Sequence, residues 1–200
     1  MNKIYRILLS IGCMPLIACA LPAGTAGDDD LTALLMLQQL QNINNQSSAW
    51  VQFTMNIGAT TTAPNKATNP DIDIAMWRRS GDSMEITYTL KQSNITGATA
   101  GTGTYLFPIP SGSTIDLTKI ASGTDAASPL GIAGPAGVGN TTGQRDALVR
   151  VYDGNNLLIV YDNNANFTDV GSAAFQLNNA NTPLYWSFRA VVPIQGWSVQ

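Results

Sequence analysis

The chain has no histidine, one glutamate and two cysteines in 200 residues. Without imidazole there is no His-dependent nucleophile triad, no usual nitrogen ligand for zinc, and the commonest general base is missing. Cys13 and Cys19 both precede the part that reads as folded, so no disulfide framework staples the body. Charged side chains are scarce as well, at 12%. The surface must then be built largely from Asn, Thr, Ser, Gln and Gly, a composition that suits an extracellular β protein. A formal net charge of −3 supplies no basic footprint for neutralising phosphates, which argues against a nucleic-acid partner. The length suits one sizeable domain, with or without a tether.

What is present begins with an address. Lys3 and Arg6 precede an apolar run from Ile7 to Ala18, interrupted by Ser10, Gly12 and Pro15. The run is short for a membrane span and has the layout of a secretory signal peptide over residues 1–18. It closes on Leu16-Ile17-Ala18-Cys19, which resembles the lipobox of bacterial lipoproteins, in which cleavage precedes a lipidated cysteine. The competing reading is an ordinary signal peptide cut after Ala23 or Ala26. Cleavage before Cys19 removes two of ten basic residues, leaving eight against thirteen acidic ones and a net charge of −5. Ala20 follows the cysteine where an acidic residue is associated with inner-membrane retention, so the expected destination is the cell outer membrane, with the body facing the exterior.

A small-residue tether over 19–30 ends in Asp28-Asp29-Asp30, three carboxylates suited to the positive end of a helix dipole, with Asp30 as N-cap. The predicted helix covers 31–46. Its apolar stripe is Ala33, Met36 or Leu37, Leu40 and Ile43, with Gln38, Gln39 and Gln41 largely off it. That stripe has three candidate uses: packing on the body, zipping with copies of itself into a homotrimer, or lying on lipid. Fewer than two heptads make a weak coiled coil alone.

From residue 47 to 200 the alternation is that of strands. Met84, Ile86, Tyr88 and Leu90 recur at every second position, and so do Ile72, Ile74 and Met76, with Ser80-Gly81-Asp82 as the turn between them. Val51, Phe53 and Met55 mark a first strand within 49–57. Thr104 to Ile109 is a further strand, and Ala147–Tyr152 pairs with Leu157–Tyr161 across Asp153-Gly154-Asn155-Asn156. Leu184, Trp186, Phe188, Ala190 and Val192 face one way in the final strand, with Tyr185, Ser187 and Arg189 opposite. Asn94–Gly103 reads as a small-residue loop, and Ser111–Asp116 leads into a long segment to Gly143 rich in Gly, Ala, Ser and Pro. About eight strands and one helix define an all-β fold, a jelly-roll-like β-sandwich.

Each chemical constellation has an ordinary structural reading beside it. Trp50, Trp77, Tyr185 and Trp197 are candidate sugar-stacking platforms, against core or interface packing. Asp162, Asn164, Asn166 and Asp169 alternate as calcium ligands do, but an Asx-rich turn has the same spacing and the loop lacks an EF-hand's Gly and closing Glu. Asp71 and Asp73 form a potential carboxylate pair, against solvent-facing residues that discourage edge pairing. Glu85 falls on the solvent side of its strand. Adjacent Arg78 and Arg79 point to opposite faces, leaving at least one solvated. Gly134, Gly137, Gly139 and Gly143 tempt a phosphate-loop reading, which fails for want of a basic partner and a following helix. No cofactor is implied.

Two stretches together resemble β-sandwich modules of phage tail-fibre and bacterial surface proteins. They are Trp77-Arg78-Arg79-Ser80-Gly81-Asp82-Ser83-Met84-Glu85-Ile86 with Pro108-Ile109-Pro110-Ser111-Gly112 and Ile115-Asp116, and Val192-Pro193-Ile194-Gln195-Gly196-Trp197-Ser198. The resemblance frames roughly residues 49–200 through short structural motifs. It implies a non-enzymatic, often trimeric head for display or adhesion, and it transfers no catalytic residue. The signal peptide departs from phage fibres and favours a cell-anchored version. Two functions follow as expectations: a lipid-anchored outer-membrane lipoprotein that is not an enzyme and binds a surface glycan or protein, or a secreted, fibre-like carbohydrate-binding head, trimeric in form.

Overall fold

The computed structural model describes residues 31–39, 47–120, 130–162, 167–171 and 174–197. The expected signal peptide, Cys19, the aspartate run and the second half of the predicted helix lie outside the described residues. The chain divides into two units, with the break after Gln39. In the first, residues 31–39 are helical. Leu31, Leu34, Leu35 and Met36 are exposed, while Ala33 and Leu37 are half-buried.

The second unit is an antiparallel β body. Its strands are β1 (Val51–Phe53), β2 (Gly58–Ala59), β3 (Ile72–Ser80), β4 (Ser83–Gln92), β5 (Tyr105–Pro108), β6 (Leu130–Asn140), β7 (Gly143–Val151), β8 (Asn156–Asp162), β9 (Phe167–Asp169) and β10 (Leu184–Pro193). They follow the order β1-β3-β4-β10-β6-β7-β8-β5-β2, with β9 on β8. One continuous sheet curls so that its distant parts face each other. Phe107 of β5 meets Tyr88 of β4 and Trp186 and Phe188 of β10, with ring centroids 6.2, 5.8 and 5.6 Å apart. Each such aromatic pair adds about 0.5–1.5 kcal/mol beyond its area burial. The all-β expectation holds, and the two layers of the sandwich are two halves of a single sheet.

The β3–β4 hairpin shows why strand alternation needs tertiary context. Gly81 adopts a positive φ of 65°, and the two-residue turn pairs Ser80 with Ser83. That register pairs Ala75 with Tyr88 and Trp77 with Ile86 on the core face, while Ile74 lies opposite Thr89 on the outer face. The apolar run Ile72, Ile74, Met76 therefore points away from the core, and Ile74 is 50% exposed. A one-residue slip would reverse this, but the turn and the alternation of β4 together outweigh it.

Residues 130–140, within the segment to which the sequence pattern assigns no element, form the central strand β6 between β10 and β7. Its sequence, LGIAGPAGVGN, carries little β-propensity, and its pairing with β7 shifts register twice before Gly134. Pro135 has no N–H to give, and the pairing of β6 with β10 runs from Gly139 only as far as Ala136. Gly134 permits a close approach, because a Cβ there would sit 2.0 Å from the Arg189 carbonyl oxygen. The tempting glycines thus belong to a strand and its turn. The 94–103 loop is also more ordered than expected: it bridges the preceding loop at Thr62–Thr102 and Asn65–Thr99. The expected strand over 49–57 shortens to β1, although Met55 and Ile57 beyond it stay buried.

The stretches that carry the tail-fibre resemblance converge at one end of the body. Ile115 bridges Ile194, and the amides of Asp116 and Ile194 donate to the carbonyls of Pro193 and Asp82 at 2.8 and 3.0 Å. Lys119 Nζ lies 2.9 Å from an Asp82 carboxylate oxygen. That contact, with Ser83 adding to it, holds the Asp82 carboxyl below its ordinary range.

Candidate functional site

Cross-strand partners share a face, so the ladders map the outer surface of the β3-β4-β10-β6-β7 sheet row by row. One row is Ile72, Lys91, Tyr185, Gly139 and Gln144; the next is Ile74, Thr89, Ser187, Gly137 and Asp146. Then come Met76, Thr87 and Arg189, and finally Arg78, Glu85 and Val191. The alternation that buries Leu184, Trp186, Phe188, Ala190 and Val192 places Tyr185, Ser187 and Arg189 on this face.

A groove of ≈ 170 Å³ lies at the Tyr185 end, lined by Gly137, Val138, Gln144, Arg145, Asp146 and Tyr185. It exists because β6 offers glycine at two successive outward positions, so backbone rather than side chain forms its floor. Tyr185, 38% exposed, forms one wall, Gln144 and Asp146 supply amide and carboxylate groups from the same face, and Arg145 completes the lining. Enclosed small-molecule sites run roughly 300–1,000 Å³. A groove this small and open suits one ring of a longer ligand lying across the face.

Four residues along β10 from Tyr185, about 13 Å at strand rise, the same face carries an ion cluster. Glu85, expected in solvent, is 3% exposed. Arg78 Nε donates to its Oε2 at 2.6 Å, and Arg189 Nη2 contacts Oε1. Both arginines cover the carboxylate, which is why an outward-pointing position is buried. Arg78 also stacks on Trp50, with its guanidinium carbon 4.7 Å from the ring centroid. Among the described residues no other carboxylate pairs with either arginine, so this cluster of three charges has a net charge of +1.

The four aromatic candidates separate. Trp77 and Trp197 come together, with centroids 6.4 Å apart, and pack against the core as half-buried residues at the corner described above. Arg79 lies 5.1 Å over Trp197 and donates from Nε to the Gly81 carbonyl at 2.8 Å. Both adjacent arginines are therefore engaged, contrary to the expectation that one is solvated. Trp50, 37% exposed, and Tyr185 remain available. Sequence alternation had already placed Tyr185, Ser187 and Arg189 together; Arg78, Glu85, Asp146 and Gly137 carried no signal linking them to that face.

The other acids find structural partners. Asp71 accepts from the Ser93 amide at 2.6 Å, and the Ser93 side-chain hydrogen bond, with that amide adding to it, holds its carboxyl below the ordinary value. Asp73 points inward rather than to solvent, accepting from Tyr88 Oη at 3.0 Å and pairing with Lys66. The two aspartates do not form a pair. Of the calcium candidates, Asn164 and Asn166 lie outside the described residues. Asp169 accepts from the Gly171 amide at 2.7 Å within its own turn. Among the described residues no three metal-ligating side chains gather in one place.

No family model and no curated protein matches the chain. Among solved structures the body is similar to the Dettilon tailspike protein, with 10% sequence identity and a TM-score of 0.43. The match covers 76% of this chain and 24% of that one. The expectation that this chain is not an enzyme does not stand. That exclusion leaned on solvated acids, and Glu85 and Asp73 are in fact buried and half-buried.

Proposed function

We propose that the chain is an exported surface head whose outer sheet face binds a saccharide, with Tyr185 as the stacking platform. The observation that carries this reading is the half-exposed Tyr185 ring beside a groove lined by Gly137 and Val138 of β6, with Asp146, Gln144 and Arg145 at its edge. An aromatic face packs on sugar C–H groups, and amide and carboxylate groups around it hydrogen-bond to ring hydroxyls. Ser187 and Thr89 extend the polar lane from the groove.

The lipobox-like Leu16-Ile17-Ala18-Cys19 supports anchoring through an acylated Cys19, in the outer membrane and facing outward. The exposed Leu31, Leu34, Leu35 and Met36 support trimerisation through the helix.

Titration of the full-length protein with a panel of oligosaccharides, read by calorimetry, tests the binding reading. Tyr185→Ala is expected to weaken any saccharide that binds by at least ~10-fold, the equivalent of about 1.4 kcal/mol. Unchanged affinity in that variant refutes the placement of the site.

A further inference from the structure

We infer that the Arg78–Glu85–Arg189 cluster is an anion subsite and that the saccharide crossing this face carries a carboxylate, as a uronic-acid chain does. This rests on the saccharide reading of the Tyr185 groove and adds the ligand's charge to it.

Glu85 is the only glutamate in the chain, and it lies buried between two guanidinium groups, while the other charged side chains of this face, Lys91 and Asp146, stand in the rows nearer Tyr185. One carboxylate does not neutralise two arginines. The unmatched charge belongs to Arg189, whose side chain is 61% exposed and which touches Glu85 through Nη2. A guanidinium has five donors in a fixed fork, so Arg189 keeps N–H groups with which to meet an incoming carboxylate. Glu85 acts as a positioning residue: it holds both forks in place and so lowers the entropy lost when a ligand is grasped.

The surroundings favour a carboxylated saccharide over a bare ion. Thr87 lies opposite Arg189, with Ser187 and Thr89 one row nearer the groove, so hydroxyl groups line the path from Arg189 to Tyr185. Trp50, held by its contact with Arg78, offers a second exposed ring beyond the cluster. The face thus alternates ring platform, hydroxyl lane, cation and ring platform, which suits an extended chain of sugar rings. The protein as a whole is acidic, at −3. A local excess of positive charge therefore stands out against the field that an approaching polyanion meets.

The test compares three probes on the full-length protein: an oligouronate, the same oligosaccharide with its carboxyl groups reduced to alcohols, and inorganic phosphate. The oligouronate is expected to bind at least ~10-fold tighter than its reduced form, with the advantage shrinking as salt rises. Arg189→Gln should erase that advantage by weakening the oligouronate far more than the reduced form. Arg189→Lys, which keeps the charge but loses the fork, should fall between. Glu85→Gln raises the cluster to +2 while removing the acceptor that holds both forks, so a smaller advantage despite the added positive charge marks positioning, and a larger one refutes that role for Glu85. Equal affinity for the two oligosaccharides, both weakened by Tyr185→Ala, overturns the anion subsite and leaves the saccharide reading standing. No binding of either overturns both. Inorganic phosphate displacing the oligouronate at equal concentration overturns the carboxylate assignment in favour of a general anion site.

Discussion

Gln92 is the buried polar residue on which the loops over β4 depend. Its side chain is fully buried, its Oε1 accepts from the Ala67 amide at 3.1 Å, and its Nε2 donates to the Leu177 carbonyl at 2.6 Å. Ala67 and Leu177 are themselves buried and lie on loops far apart in sequence, so one amide group pins both to the end of β4. Replacing Gln92 with leucine keeps most of the volume but leaves a donor and an acceptor without partners. Each orphaned buried group costs about 1–3 kcal/mol, so the expected loss is about 2–5 kcal/mol. That is a large share of a typical stability of 5–15 kcal/mol. Gln92→Ala adds a cavity and should be worse. Gln92→Glu still accepts from Ala67, but an ionised carboxylate has no proton for the Leu177 carbonyl and should also destabilise. Urea unfolding measures the shift in midpoint at constant slope, and hydrogen exchange at the Ala67 amide reports the local opening. A loss below about 1 kcal/mol for Gln92→Leu, with Ala67 still protected, would refute the claim that this side chain satisfies those groups.

Gly134→Ala places a methyl 2.0 Å from the Arg189 carbonyl oxygen, in a central strand where backbone rather than a flexible side chain must yield. A loss of about 3 kcal/mol is expected in urea unfolding, against about zero or a gain if the strand simply relaxed. On the alkaline side, burial and then the Asp73 carboxylate push the Tyr88 phenol far above its ordinary value. In the unfolded chain it ionises near pH 10, so above that pH the unfolded state binds fewer protons than the folded one. The stability is fully present below about pH 10 and declines as pH rises beyond it, with phenolate absorbance from Tyr88 appearing only on unfolding. Tyr88→Phe should flatten that decline; an unchanged alkaline profile would refute it.

How much was legible depended on whether the information was local. The final strand, the turn at Asp153–Asn156 and the β3–β4 hairpin were readable because alternation at every second residue and turn chemistry are properties of neighbouring residues. β6 was not, because its glycine-rich segment becomes a strand only through the partners on either side of it. The outward face of Ile72, Ile74 and Met76 was not legible for a related reason: alternation groups residues on one face, but the register set by the Gly81-Asp82 turn assigns which face that is.

The candidate site divides along the same line. The sequence by itself determined the periodicity of β10, and with it that Tyr185, Ser187 and Arg189 share a surface opposite the core. It determined as well that no histidine or body cysteine takes part in any chemistry there. Only the tertiary structure decided that Glu85 is buried, because the cover comes from Arg78 on one neighbouring strand and Arg189 on the other. It also decided that Asp146 and two glycines of β6 stand beside Tyr185, since pairing across a sheet joins residues whose separation in sequence carries no periodic trace.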